Sequence, residues 1–425
     1  MLRLLQWLVR REHLLRLLSP VFGRFQPFSA AHRRNPHDTW RSLREHAPAY
    51  RSRVFGTTLF TRYEDVLRIL SDPRFSTDRS QVPAMRWVAR LTRGEPEFAG
   101  LIERNLLTID GADHRRLRGL VAKAFTPRRV ERLRPRLVGI AEDLLDRASA
   151  GGRASGIELV RDFAHPFPVV AIAELLGVPA EDRDRFRRWG QALVQLLDPL
   201  QGRGGVRPLI EATAEIFAYF RPLLAERRAQ PRDDLLTAMI QAEEGGDRLE
   251  ELDLLALSAL LLVAGHETTS NLIGNAVLLL LRFPQERKRL QDDPGLLPTA
   301  VEECLRFESP IQLTDRAVVE DCELRGVRLR RNQMAAAVLA AANRDPRAFA
   351  EAERFDVGRR DNRHLAFGHG SHFCLGASLA RAEAEIALAT LLRRFPDFRG
   401  DPEPPAWRRS MIVRGPEAVP LRLAP

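Results

Sequence analysis

Cysteine is scarce in this chain. Among its 425 residues there are three cysteines, Cys304, Cys322 and Cys374. Three cysteines cannot pair into a complete disulfide framework, and the N-terminus shows no pattern of a cleaved secretory signal. We therefore expect a reducing, cytoplasmic location, in which an isolated thiol has another use.

Lysine is scarcer still, since Lys123 and Lys288 are the only two. The net charge of +10 therefore comes from arginine. The arginines are spread along the chain and interleaved with acidic residues, which argues against a nucleic-acid-binding function. A positive surface favours an acidic protein partner instead.

Long apolar runs are also missing, and no stretch approaches the roughly 18 uninterrupted apolar residues of a membrane span. Residues 1–29 begin with a basic, leucine-rich helical pattern. This pattern is typical of a helix on a membrane surface, but also of one docked on the protein body or of a loose extension. With 44% hydrophobic and 29% charged residues, the chain has the composition of a well-cored soluble protein.

The patterns that are present are mainly helical. The longest candidate helix, about residues 249–282, is apolar on nearly every side, which predicts a buried central helix. Residues 76–107, with their glycines and prolines, predict an irregular segment, and short strand-like pieces follow residue 310. We predict a mainly α fold with a small β region, in a single domain over residues 30–425 preceded by an extension over residues 1–29.

Cys374 lies in the segment FGHGSHFCLG, directly before a helical run. A helix N-terminus offers unpaired N–H groups and a positive end, and both favour the thiolate, which is the form that ligates metals. No second cysteine is near enough for a zinc site, whereas one thiolate in a glycine-lined loop suits haem iron. On the residues alone, a buried structural cysteine is the alternative.

The same segment resembles the haem-ligand loop of the cytochrome P-450 superfamily in its bacterial soluble form. The resemblance implies the cytochrome P-450 fold, with a long central helix over a buried haem b, and makes Cys374 the axial ligand of the iron. The other matching positions in the loop are Phe367, Gly368, Gly370, His372 and Gly376.

Polar residues interrupt the central helix at AGHETT. The structural explanation is that threonine hydroxyls bond back to a carbonyl one turn earlier, because buried polar groups are costly unless they are satisfied. The segment also resembles the family's small-Gly-x-acid-Thr pattern. By that resemblance Ala264 and Gly265 leave room for oxygen. Thr268 would hold oxygen and an ordered water by hydrogen bonds, and Glu267 would relay protons from solvent.

Glu303 and Arg306 are three residues apart on a predicted helix. Such a pair is usually a weak surface interaction, but it also matches the family's Glu-x-x-Arg motif, which has a structural role beneath the haem. The family completes this motif with an arginine ahead of the cysteine loop. Arg354 fits best, and Arg359 is the alternative.

Cationic positions on other segments resemble the residues that bind the haem propionates. These are His114 and Arg118 on one helix face, Arg316, and His372 of the cysteine loop. A solvated charged face is the alternative for each of them. The remaining cations of the His114 helix, Arg115, Arg116 and Lys123, are candidates for docking an acidic ferredoxin.

Family analogy also places the substrate pocket in segments that carry mostly apolar residues, which select lipophilic ligands. Many of these residues are equally compatible with ordinary core. The candidates are Met85, Trp87, Val88, Leu91, Leu107, Leu196, Leu197, Ala264, Ile311, Leu313 and Ile412.

The resemblance thus implies a monomeric haem-thiolate monooxygenase that uses O2 to hydroxylate a hydrophobic small molecule, such as a fatty acid, steroid, terpenoid or polyketide. Electrons would come from NAD(P)H through a ferredoxin or flavodoxin and its reductase, because no flavin or iron–sulfur domain is attached. Two alternatives are a peroxygenase driven by hydrogen peroxide and a non-catalytic haem sensor or recruitment protein.

Overall fold

The computed structural model describes residues 11, 22–52, 54–83, 86, 94–150, 156–179, 182–193, 195, 198, 205–244, 246–400 and 405–423. Helices dominate these residues, as predicted. The helices are α1 Ala30–Arg34, α2 Pro36–His46, α3 Tyr63–Ser71, α4 Pro96–Glu103, α5 Gly111–Ala124, α6 Pro127–Ser149, α7 Pro166–Leu176, α8 Arg183–Leu193, α9 Arg207–Ala229, α10 Leu235–Ile240, α11 Glu251–Arg282, α12 Pro284–Asp292, α13 Leu297–Phe307, α14 Leu339–Ala342 and α15 Ala377–Arg394.

The strands form small sheets at the periphery of the helical body. The largest sheet has the order β1-β2-β10-β7-β3, in which β2 and β10 are parallel and the other pairs are antiparallel. A second sheet has the order β11-β12-β4, and β5-β6 and β8-β9 are hairpins. The strands are β1 Ala49–Ser52, β2 Thr57–Phe60, β3 Phe75–Ser76, β4 Ile157–Glu158, β5 Glu243–Glu244, β6 Asp247–Arg248, β7 Thr314–Val318, β8 Cys322–Leu324, β9 Val327–Leu329, β10 Met334–Ala337, β11 Arg399–Gly400 and β12 Pro420–Arg422.

The predicted central helix is α11, which has 32 residues and is therefore about 48 Å long. Its start is fixed by Asp253, whose carboxylate accepts the Glu250 N–H at 3.0 Å and pairs with Arg104 and Arg116 at 3.1 and 3.3 Å. Helices α7, α9 and α15 pack around it. Within the described part of the chain, α11 alone is long and apolar enough to cross a bilayer, but most of it is buried inside the protein.

Two local features differ from the sequence prediction. The prediction of an irregular segment over residues 76–107 is wrong at its end, where Pro96 starts α4 and Phe98 and Leu101 are buried one turn apart. Residues 160–164 form a π-helical turn directly before α7. This turn places His165 at the junction of the two elements.

The described part of the predicted extension packs on the body. Phe25 is buried, and its ring lies 5.3 Å from that of Trp40 in α2. Phe28 contacts Phe55 beside the β1–β2 turn. Of residues 1–21, only residue 11 lies inside the described ranges, so the membrane-surface prediction for that stretch falls outside them.

Candidate active site

The loop that carries Cys374 is a tight turn held by backbone hydrogen bonds to the residues just before it. The Cys374 N–H donates to the Phe367 carbonyl at 2.9 Å, and the Gly368 N–H donates to Leu365 at 2.9 Å. Gly368 and Gly370 have φ of +73° and +70°, a region that side chains rarely adopt. A Cβ at Gly370 would lie 2.8 Å from the carbonyl oxygen of Leu70. Glycine there allows the loop to lie against the end of α3.

The Cys374 side chain is exposed, whereas those of Cys304 and Cys322 are buried. Although Cys374 is open to solvent, the protein atoms packed around its thiol raise the pKa of Cys374, while the Gly376 N–H and the guanidinium groups of Arg118 and Arg381 lower it. The net shift is upward, so the predicted effect of the helix start is present but outweighed. A coordinating metal ion removes a thiol proton outright, so the raised pKa does not oppose ligation.

Cationic and aromatic side chains hold the loop from both sides. Arg118 Nη2 donates to the Phe373 carbonyl at 2.6 Å, and the Arg381 guanidinium lies 4.6 Å from the centre of the Phe367 ring. Arg381 is in turn bound by Glu302 at 2.7 Å. The predicted propionate ligand Arg118 therefore supports the loop backbone beside the cysteine.

The middle of α11 has an accessible patch on an otherwise buried helix. Ala264, Gly265 and Thr268 keep partial exposure while their neighbours are buried. A Cβ on Gly265 would meet only Ile172, at 3.9 Å. The Thr268 hydroxyl donates to the Ala264 carbonyl at 2.7 Å, which is the back-bond expected of a threonine inside a helix. Ala264, Gly265 and Thr268 lie within one turn of each other and form an accessible surface of small side chains and one hydroxyl group. We call this surface the α11 wall.

Glu267 is buried and paired with Arg408, whose Nη1 lies 2.8 Å from Oε1. Sequence reasoning missed Arg408, which comes from the C-terminal segment 141 positions away and belongs to none of the motifs. Part of the Arg408 side chain reaches the surface, because it is 23% exposed. The pair therefore links the interior of α11 to the exterior.

His372 belongs to a cluster that the motifs did not predict as a unit. Its ring lies 4.0 Å from that of His114, and its Nε2 lies 2.7 Å from Asp110 Oδ1. Although burial acts to raise the pKa of Asp110, hydrogen bonds from His372, Ser76 and the Thr77 N–H hold it well below its usual range. Asp110 is a further residue that sequence reasoning missed.

His114 is 1% exposed, and its Nε2 has no hydrogen-bond partner. Burial and the neighbouring His372 lower the pKa of His114 to about 4. A buried polar atom without a partner is unusual. A ligand oxygen at this position would satisfy it.

Arg316 lies on β7 and is 6% exposed. Its Nη1 donates to Thr314 Oγ1 and to the Asp315 carbonyl, both at 2.9 Å. Burial and the nearby Arg79 lower the pKa of Arg316 to about 10. Arg79 is paired with Asp315 at 2.7 Å, so two guanidinium groups converge at this edge of the sheet.

The Glu303–Arg306 pair is a fully buried anchor rather than a surface pair. Arg306 donates to both oxygens of Glu303, at 2.7 and 2.8 Å, and both side chains are 0% exposed. The assignment of Arg354 to this anchor is wrong, because its guanidinium pairs with Glu351 at 3.0 Å and is 55% exposed. Arg359 completes the anchor, 3.1 Å from Glu303.

The structure places the predicted substrate-pocket residues in different environments. Ile311 and Ile412 are half-buried, and the bridge between Ile311 and Val413 brings their two segments together. Leu107 is 41% exposed, and Leu313 is ordinary core, 3% exposed and packed with Phe25 and Trp40. Placing Leu313 in the pocket is therefore wrong. The predictions that fall outside the described residues are Met85, Trp87, Val88, Leu91, Leu196 and Leu197.

The predicted ferredoxin-docking cation Arg116 is only partly exposed and is engaged in ion pairs within the chain. It pairs with Asp253 and Asp247, both at 3.3 Å. These bonds attach α5 to the β5–β6 hairpin and the start of α11. These ion pairs give Arg116 a structural role, and the exposed Arg115 and Lys123 stay docking candidates on that helix.

Comparison with known proteins identifies the family to which this fold and this site belong. Residues 83–294 and 295–419 match the Cytochrome P450 family. Cytochrome P450 107B1 of Saccharopolyspora erythraea is 44% identical over 405 residues, covering 93% of this chain and 96% of that protein. The mycinamicin IV hydroxylase/epoxidase of Micromonospora griseorubida is 42% identical, covering 94% and 98%. The structure of P450 PksS of the Bacillus subtilis bacillaene polyketide synthase has a TM-score of 0.85 at 36% identity, covering 94% and 100%.

The chain belongs to the cytochrome P450 family. Its mainly helical fold with small sheets is the P450 fold, and its class of activity is that of a P450 monooxygenase acting on a hydrophobic substrate. The family also implies a haem-thiolate cofactor. Relatives in this family from bacteria cover nearly the whole length of the chain.

The residues of this P450 fit a haem. Cys374 offers an exposed sulfur, and a Cβ at Gly376 would meet no atom within 4 Å, so the loop has room for a flat group. The unpartnered Nε2 of His114 and the buried guanidinium of Arg316 are suited to carboxylates. His372 engages Asp110 through Nε2, which leaves Nδ1 for any further contact.

Proposed function

We propose that this P450 binds haem b through the Cys374 thiolate and hydroxylates a hydrophobic small molecule. The observation that carries the proposal is the loop, which presents one exposed sulfur at the start of α15 among glycines that admit a flat cofactor. When bound, the haem activates dioxygen, of which one oxygen atom enters a C–H bond and the other leaves as water.

The chain's own contribution is the α11 wall, formed by Ala264, Gly265 and Thr268. Ala264 and Gly265 provide space, and the Thr268 hydroxyl provides a hydrogen-bonding group at its edge. Glu267, one residue away, relays protons and connects through Arg408 to the surface. Proton supply is needed because an apolar pocket has none of its own.

Among the substrate classes that the sequence leaves open, we propose a polyketide-like compound. The support comes from two relatives, one named a mycinamicin IV hydroxylase/epoxidase and the other a P450 of a polyketide synthase. In this chain the half-buried Ile311 and Ile412 are the described apolar candidates for contact with the ligand. A fatty acid, steroid or terpenoid is the alternative that a ligand titration tests.

Electrons come in this proposal from NAD(P)H through a ferredoxin or flavodoxin and its reductase. Support for an acidic carrier is the net charge of +10, because opposite charge accelerates docking. We also propose a cytoplasmic location and a monomeric state for the enzyme.

The ligand assignment is tested with Cys374→Ala and the matched control Cys322→Ala. We expect Cys374→Ala to lose the carbon monoxide difference band of thiolate ligation, whereas Cys322→Ala keeps it, because Cys322 is buried in a separate hairpin. An unchanged band in Cys374→Ala overturns the assignment. Turnover with hydrogen peroxide alone, equal to that with ferredoxin and reductase, would make the enzyme a peroxygenase.

A further inference from the structure

We propose that His165 and His266 form a proton path that leads from the protein surface to Glu267. The inference rests on the proposed function, in which Glu267 supplies protons to the reaction. His266 stands in the centre of AGHETT, and neither the fold nor the haem site accounts for its imidazole.

The hydrogen bond of His266 fixes its tautomer. Its Nδ1 lies 2.6 Å from the Leu262 carbonyl oxygen one turn earlier, and a carbonyl oxygen only accepts, so Nδ1 carries the proton. The other nitrogen, Nε2, is then a lone-pair acceptor. It is buried without a hydrogen-bond partner in a residue that is 1% exposed, and it lies 4.0 Å from Glu267 Oε2.

His165 is the more exposed of the two histidines. It stands where the π-helical turn meets α7 and is half-buried. Its ring is 5.5 Å from that of His266 at an interplanar angle of 77°. One ligating atom from each of His165, His266 and Glu267 falls within 4.8 Å of the others, a spacing that one bridging water or a small ring rotation closes.

The packing of α8 holds the His266 ring in place. Gly190 faces the imidazole so closely that a Cβ there would lie 2.5 Å from Cε1 and 2.8 Å from Nε2. Glycine at this position therefore lets the ring keep its place beside Glu267. A methyl group at position 190 would displace the ring.

The groups around His266 disfavour a proton that stays on its ring. Burial and Arg408 lower the pKa of His266, and Glu267 raises it, with a downward net effect. A proton that reaches Nε2 is therefore held weakly there; in the proposed path it moves to the Glu267 carboxylate, 4.0 Å away, and Nε2 recovers its lone pair. His165 gives up that proton and takes another from solvent. Arg408, 2.8 Å from Glu267, makes the same three groups a poor site for a metal cation.

The activity test uses variants that alter His165 or His266 and leave Glu267 in place. His266→Asn keeps a donor for the Leu262 carbonyl but removes the transferring nitrogen, and His165→Phe keeps a ring but removes the nitrogens that carry the proton. We expect both to lower the yield of product per NAD(P)H at least about fivefold and to enlarge the solvent isotope effect on turnover, because proton delivery becomes limiting. Gly190→Ala should act in the same direction, whereas Gly139→Ala, on an open face of α6, should have no effect.

The outcomes distinguish the two proposals. If Glu267→Gln leaves the product yield unchanged, the role of Glu267 in the proposed function fails. If Glu267→Gln lowers the yield while His266→Asn and His165→Phe match the wild type in yield and isotope effect, only the histidine path fails.

A second readout does not depend on turnover. With 13C-labelled histidine in the ferrous carbon monoxide form, we expect the His266 signal to be that of the Nδ1–H tautomer. The titration midpoint of His165 should move to lower pH in Glu267→Gln, because the variant lacks the negative charge that favours the imidazolium. An Nε2–H tautomer of His266, or an identical His165 midpoint in the two proteins, overturns the path.

Discussion

Arg354 and Arg359 lie five positions apart and have unequal parts in the anchor at Glu303. Arg359 donates to Glu303 from Nε, and its Nη atoms donate to the carbonyls of Ala350, Glu351 and Arg354. Arg354 contributes its backbone, since its carbonyl also accepts from Arg306 at 3.0 Å. Sequence spacing cannot separate the two, because the turn at residues 356–359 decides which guanidinium faces inward.

This difference predicts unequal stability. Arg359→Ala leaves the buried Glu303 carboxylate with less compensation, so the free energy of unfolding should fall by about 3 kcal/mol. Arg354→Ala, which removes an exposed pair, should change it by less than about 1 kcal/mol. Urea denaturation of the two variants in parallel measures both values. Equal losses would contradict the assignment of Arg359 to the anchor.

Residues within contiguous motifs could be predicted one by one, and residues brought in from afar could not. Short sequence segments with a recognisable pattern contain Cys374, Glu267 and Thr268, so their roles could be predicted from the sequence. Asp110 and Arg408 are held at the site by contacts across 262 and 141 positions, and no local pattern marks such partners.

The central helix α11 was predictable as an element because its apolar residues lie on every side, which only burial explains. The sequence also located the polar interruption. It could not show that Ala264, Gly265 and Thr268 share partial exposure, since that depends on how the neighbouring helices pack. A buried carboxyl on α15 illustrates the same limit: Thr269 donates a hydrogen bond to Glu383, and burial raises the pKa of Glu383 well above its usual value.

The Thr268 hydroxyl is predicted to act beyond its back-bond to Ala264. In Thr268→Ala the helix keeps its backbone bonds, so we expect stability to change by less than about 1 kcal/mol. NAD(P)H consumption should continue while hydrogen peroxide replaces product, because the hydroxyl that orders the protons is gone. Thr268→Ser, which restores a hydroxyl, is the control. The ratio of peroxide to product measures the effect, and wild-type coupling in Thr268→Ala would remove Thr268 from the relay.

At the scale of the whole molecule, the C-terminal segment ties distant parts together. Arg408 reaches Glu267 in α11, and Arg414 binds Glu308 after α13 and the Arg33 carbonyl in the last turn of α1. Asn275 of α11 donates to the Arg414 carbonyl at 3.1 Å. The strand predicted here is confirmed at β12, and side-chain bonds connect the rest of the segment to the helices. Long-range pairing of this kind is what the sequence left undetermined.

The same network makes stability depend on pH through His37. His37 is 6% exposed, and its Nε2 lies 3.1 Å from Glu308. Burial and the nearby Arg344 and Arg414 lower the pKa of His37 to about 4, although Glu308 acts to raise it. His32 behaves alike, since burial and Arg414 lower its pKa to about 3. Both rings are therefore neutral in the folded protein at pH 7.

A histidine with a lowered pKa in the folded state takes up a proton on unfolding as soon as the pH drops below its usual value of 6.5. The unfolded state then binds more protons, so stability is complete above pH 6.5 and is lost as the pH falls towards 4. For His37 alone the separation of the two pKa values corresponds to a loss of at most about 3 kcal/mol.

His37→Gln isolates this contribution, because the glutamine amide can still donate to Glu308 but does not titrate. We expect the wild-type free energy of unfolding to fall more steeply than that of His37→Gln between pH 6.5 and 4.5, with the two curves parallel above pH 7. Chemical denaturation followed by tryptophan fluorescence at several pH values measures the difference. Parallel curves down to pH 4.5 would mean that His37 is already protonated in the folded protein, and that Glu308, rather than burial beside Arg344 and Arg414, controls its charge.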